Sequence, residues 1–202
     1  GGLAGAQSNV SAPVTLAASS FRPQTLLRPL AGLANDASVE QVMSLGSQPL
    51  GITGAQTIQA RVSNKGSNAI SNLAVTLTVS GANSFTDTQI VPSLAFCGGA
   101  ANVTFAPFTA TALGSNTVTI SIPADDAGVN NSLSKPMDVT IPLYSYKHPG
   151  TTAGGGVGLT GGVGAFVAKF NTTQPTNVIS ADLEFFAVSA TTYRVAIYGD
   201  AG

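Results

Sequence analysis

The sequence predicts an all-β protein: an immunoglobulin-like antiparallel β-sandwich followed by an incomplete second β-unit. Three observations carry this expectation. Val, Ile, Leu and Thr alternate with polar residues in short runs. Clusters of Gly, Asn, Asp and Ser separate those runs at sandwich-like spacing. No stretch of useful length carries the 3.6-residue apolar period of a helix.

Taken in order, residues 1–35 read as an N-terminal arm or linker. Pro13-Val14-Thr15-Leu16-Ala17 makes a short strand candidate, and Thr25–Leu30 is an apolar segment held extended by Pro23 and Pro29. Ala4-Gly5-Ala6 fits a small-x-small signal-cleavage pattern, without the basic start and long apolar stretch that should precede it. Residues 36–145 are the expected sandwich. Ser38–Met43 opens it, and Thr57–Val62 places Ile58, Ala60 and Val62 on one face with Gln59 and Arg61 on the other. The Asn64–Asn68 turn comes next, with Asn and Gly expected to supply positive φ. Leu73, Val75, Leu77 and Val79 then face inward along the clearest alternation in the chain. Thr86–Val91, Asn102–Phe105, Asn116–Ile122 and Met137–Leu143 complete the set. A Gly-rich linker is expected at 146–164. The start of a second β-domain is expected at 165–202, with strand candidates Ala165–Phe170, Val178–Phe186 and Tyr193–Tyr198. Three such strands make a poor core alone, so that unit is expected to lean on the sandwich or on further chain.

Composition narrows the function. Charged residues make up 8% of the 202 residues and the formal net charge is −1, so there is no basic stripe for nucleic acid or anionic lipid. No run of 18 apolar residues exists to insert into a membrane as a helix. Cys97 is the only cysteine, which excludes an internal disulfide and a thiolate metal cluster. An extracellular β-protein without disulfides points towards bacteria or a self-sufficient core.

Ile58-Gln59-Ala60-Arg61-Val62-Ser63-Asn64-Lys65-Gly66 resembles the V-x-A-x-V-x-N-x-G opening of cell-adhesion-related immunoglobulin-like (CARDB-type) domains. Pro92-Ser93-Leu94-Ala95 before a Gly turn and Val103-Thr104-Phe105 is similar to the middle of that family. Asp125-Asp126 with Asn130-Asn131-Ser132 resembles its late loop. The resemblance covers about 36–145 and implies a sandwich in a large secreted surface protein of Bacteroidota, a group whose surface proteins commonly use the type IX secretion route. The family usually has Pro-Gly where this chain has Phe96-Cys97.

Candidate chemistry is sparse. Gly156, Gly158 and Gly161 match the spacing of a dinucleotide fingerprint, but no helix comes after them to meet a phosphate, so a flexible loop is expected. His148 and Cys97 are the lone residues of their types, with several strands between them, which opposes a nucleophile–base pair. Asp125, Asp126, Asn130 and Asn131 offer hard oxygens for Ca²⁺ without EF-hand spacing or the bidentate Glu, and Asx-turn chemistry at a hairpin tip explains them without an ion. Asp182 and Glu184 read as a solvated strand face. The Asn-x-Ser/Thr sites at Asn9, Asn102, Asn130 and Asn171 read as chance in a composition rich in those residues. Phe166, Phe170, Phe185, Phe186, Tyr193 and Tyr198 make either a sugar-stacking platform or core. No catalytic residue and no cofactor is expected.

The expected function is therefore that of a non-enzymatic, secreted or cell-surface module, structural or adhesive. Its partners are expected to be protein (self-association or neighbouring domains) or surface glycans. Exposed sheet edges allow assembly into filaments by strand exchange, with residues 11–35 as donor. The alternative is an accessory spacer or carbohydrate-binding module of a secreted hydrolase.

Overall fold

The computed structural model describes residues 33–152, 167–184 and 194–199. Among the described residues, eight strands form two sheets, with one short 3₁₀ turn at Gly128–Asn130. The strands are β1 (Ala37–Met43), β2 (Ser47–Pro49), β3 (Gln59–Asn64), β4 (Ile70–Gly81), β5 (Phe85–Leu94), β6 (Ala100–Thr104), β7 (Gly114–Ser121) and β8 (Ser132–Thr140). One sheet has the order β1-β3-β6 and the other β2-β8-β7-β4-β5.

Alternation builds the core as the sequence implies. Ala60 and Val62 of β3 are fully buried and face Val75, Leu77 and Val79 of β4, with Val118 and Ile120 of β7 beside them. Phe105 and Phe108 close one end, where Phe108 meets the Phe85 ring at 5.7 Å. Residues directly opposite across the strands pair as an antiparallel sheet requires, for example Leu77↔Asp87 and Leu77↔Ile120.

Three features depart from the expectation. β2 was not visible in the sequence and pairs parallel to β8, Ser47↔Asp138 through Pro49↔Thr140, so the sandwich is not wholly antiparallel. All three β2 residues are buried, so no alternation marks the strand. The Asn64-Lys65-Gly66 turn does not use positive φ. Gly66 is required because a Cβ there would lie 2.7 Å from the Ala34 carbonyl oxygen and 2.8 Å from the Asp36 nitrogen. Finally, the described parts of the three late strand candidates (167–170, 178–184 and 194–198) form no strand, and their remaining residues lie outside the described set, as does nearly all of the arm at 1–35.

The β-strands run between two ends. Ala37, Asn64, Ile70, Leu94, Ala100, Ser121 and Ser132 lie at one end, here the upper, and Met43, Gln59, Gly81, Phe85, Thr104, Gly114 and Thr140 at the lower.

Candidate functional site

The outer face of the five-stranded sheet is uncharged across its centre. Register aligns Ser132, Ser121, Thr76 and Thr88 in one cross-strand row and Ser134, Thr119, Thr78 and Thr86 in the next. Thr76 and Thr88 share a hydrogen bond of 3.0 Å, and Thr119 and Ser134 one of 2.8 Å. β-Branched hydroxyl residues suit a pleated wet surface, and these pairs knit neighbouring strands.

The sheet edges are largely blunted. On β5, Asp87 turns towards the sandwich interior, accepts from the Ala106 N–H at 2.8 Å and is held below the usual carboxylate range chiefly by that bond. Pro92 removes a further donor from the same edge. On β1 a bulge at Glu40 shifts the register. Its carboxylate gathers Lys65, Ser63 (2.7 Å) and Arg61 (3.1 Å), which together lower its pKa from 4.5 to about 2. The outer edge of β2 is covered by an antiparallel bridge from Ser145. Gly46 permits this, since a Cβ there would collide with the Lys147 carbonyl.

At the upper end, the acidic loop is brought together as a clasp. Asp125 accepts from the Ala37 N–H at 2.7 Å and the Ala127 N–H at 2.9 Å, and Asp126 accepts from the Asn35 N–H at 2.8 Å. Asn130 donates to Asp36 at 2.7 Å. These oxygens therefore fasten residues 35–37 to the β7–β8 connection, while Asn130 Oδ1 and Asn131 Oδ1 lie buried without a partner among the described residues. No group of three or more His, Cys, Asp or Glu with metal-holding geometry occurs among the described residues. Nearby, the buried Asn64 amide accepts from the Gly66 N–H (2.9 Å) and donates to the carbonyls of Asn68 (2.7 Å) and Leu94 (3.3 Å). Cys97 is exposed at φ +54° and donates its backbone N–H to the Gly66 carbonyl at 3.1 Å. It occupies a left-handed position, which is the reason a glycine would be at home there.

A cleft of about 700 Å³ opens at the lower end, between the 41–45 and 55–59 segments, residue 135, and the chain at 146–148 and 169–171. Tyr146 and Phe170 stand at 5.1 Å with their ring planes at 39°, and Tyr144 meets Phe170 at 5.3 Å. The Tyr146 hydroxyl donates to the Lys169 carbonyl and the Tyr144 hydroxyl to that of Asn171, both at 2.6 Å. Thr173 N–H donates to the Ile52 carbonyl at 2.9 Å, so residues 169–174 lie along the sandwich. His148 Nδ1 lies 2.8 Å from the Pro136 carbonyl.

This arrangement separates the candidates that sequence suggested. Cys97 is tied to the Asn64 end of β3 and His148 lines the cleft with Gln59 at the other, so the two are not brought together. Glu184 pairs with Lys147 at 2.5 Å, and Asp182 and Glu184 are exposed outside any strand. Asn102 is exposed on β6, Asn171 is exposed at the cleft and Asn130 belongs to the clasp; Asn9 lies outside the described residues. Gly156, Gly158, Gly161, Phe166, Phe185, Phe186 and Tyr193 also lie outside them. Of the aromatic set only Phe170 joins a ring cluster among the described residues, and its partners Tyr144 and Tyr146 were missed because they fall at the sandwich's end and in the expected linker.

The clasp and the Asn64 turn fall within the segment that a family model recognises. Residues 34–131 match the CARDB family. The match begins where Asn35 meets Asp126 and ends at Asn131, just before β8, so it spans the sandwich except for its last strand. Among solved structures, one similar chain is a solution NMR structure described as a "putative cell surface protein (272-376 domain)" from Methanosarcina acetivorans. It is 20% identical, with a TM-score of 0.43, over 53% of this chain and 93% of that one. No curated protein matches the chain.

Proposed function

We propose that this chain is a non-catalytic structural or adhesive module of a secreted bacterial surface protein, carried by the CARDB-like sandwich. The observation that supports this most is the path of the chain. It is clasped at the upper end by Asp125 and Asp126, and the last strand leaves at Thr140 at the lower end. A nine-residue strand spans roughly 30 Å, so β8 carries the chain about that far from the clasped end before residues 145–148 turn back along the sandwich. That geometry suits a spacer in an extended surface protein, and the CARDB match supports an adhesion-related setting.

Assembly by strand exchange is the sharper form of this reading. The edges of β5, β1 and β2 are obstructed, by Asp87 and Pro92, by the Glu40 bulge and by Ser145 respectively, which leaves β6 to accept a strand from residues 11–35 of another copy. Deleting residues 1–35 then converts polymers to monomers by sizing chromatography; an unchanged profile overturns the exchange. For the module itself, the test is attachment of cells carrying the native gene, a gene lacking residues 33–145, or one with an unrelated sandwich in their place. Deletion lowers attachment if the reading holds, and attachment equal to native after deletion overturns it. The unrelated sandwich restores attachment for a spacer and not for an adhesin.

A further inference from the structure

We propose that the lower cleft binds an anionic saccharide, a glycan chain bearing uronate carboxylates. The proposal rests on the surface reading only in that a surface module meets such polymers. Its own support is the lining. The cleft volume, about 700 Å³, falls within the range of roughly 300–1,000 Å³ usual for ligand sites.

Charge selects an anion. The chain has only 8 Lys and Arg, yet Lys135 and Lys169 both line this cleft together with the only histidine, and no Asp or Glu is among the lining residues described. The Lys135 side chain has no ion pair or hydrogen bond among the described residues. His148 is oriented for the same task. A carbonyl only accepts, so Nδ1 carries the proton given to Pro136, and Nε2 is the ring nitrogen left for a ligand hydroxyl.

The remaining groups select a sugar over an acidic peptide. Tyr146 and Phe170 are 52% and 41% exposed, and their paired rings offer an apolar wall to the C–H face of a pyranose. Gln41 is exposed and lines the same cleft, and its amide offers both a donor and an acceptor to sugar hydroxyls. Cation, aromatic wall and amide thus converge in one concavity.

Affinity electrophoresis of the 202-residue chain tests this, with polygalacturonate or alginate in the gel and dextran, mannan and polyglutamate as controls. The uronate polymers retard the chain and the controls do not. Lys135→Gln and Phe170→Ala each weaken the retardation by roughly fivefold or more. Both residues lie outside the buried core, and an unchanged urea midpoint verifies that each variant is folded. Equal retardation by neutral polymers or by polyglutamate overturns the proposal, as does retardation unchanged in both variants. A chain found on the cell surface that ignores uronates refutes the cleft assignment alone and leaves the surface reading standing.

Discussion

Asn64 closes the upper end of the sandwich, and removing its amide is the most informative perturbation of the fold. In Asn64→Ala three hydrogen bonds disappear: one accepted from Gly66 and two donated to Asn68 and Leu94. The Gly66 N–H retains a second acceptor in the Asp36 carbonyl at 3.2 Å, whereas the two carbonyls lose the amide that bridged them. At about 1 kcal/mol per net hydrogen bond, with a further penalty for an acceptor left buried, the expected cost is about 3 kcal/mol. For a urea m-value of about 1.5 kcal/mol/M, the unfolding midpoint falls by about 2 M. Asn64→Asp separates hydrogen bonding from volume. Its carboxylate still accepts from Gly66 but presents negative charge to two carbonyls, so at pH 7 it is at least as destabilised as the alanine variant, and it recovers on acidification as the carboxyl regains a proton to donate. A midpoint shift below about 0.5 M for Asn64→Ala, or an aspartate variant indistinguishable from wild type, refutes this account of the turn.

Other perturbations obey the same logic. Glu40→Gln removes a surface carboxylate shared by Lys65, Ser63 and Arg61 and costs about 0.5–1 kcal/mol at pH 7. Because the folded pKa of Glu40 is lowered from 4.5 to about 2, its contribution is complete above pH 4.5 and lost as pH falls towards 2, so the wild-type and Glu40→Gln urea midpoints converge in that window. Cys97→Gly relieves a left-handed backbone at φ +54° and raises stability by about 1 kcal/mol in the same assay. Gln48, 1% exposed on β2, has neither amide atom partnered among the described residues, so Gln48→Met stabilises by about 1–2 kcal/mol in thermal unfolding.

The parts of the fold legible in the sequence are those where a single strand carries its own signal. Leu73–Val79 announces both its conformation and its buried face, because β4 is buried on one side and wet on the other. The Asn64–Gly66 turn was legible as a turn, although its glycine answers to the approach of residues 34–36, which no local pattern reveals. The acidic loop was legible as a cluster of hard oxygens, but its partners Asn35 and Ala37 stand about ninety positions away in sequence. β2 was illegible because three buried residues ending in proline have no period. The buried Asn83–Asn116 link, in which Asn116 Oδ1 accepts from the Asn83 N–H at 2.7 Å, has no local signal because its residues stand 33 positions apart. The cleft was illegible for the same physical reason: its walls come from five separated segments, and the Tyr146–Phe170 pair spans a stretch rich in glycine.

The central claim is that this sandwich serves outside the cell. Antibodies raised against residues 33–152 and applied to intact and permeabilised cells that carry the native gene test it most directly. The account predicts equal labelling before and after permeabilisation, abolished by brief protease treatment of intact cells. Labelling that appears only after permeabilisation contradicts it.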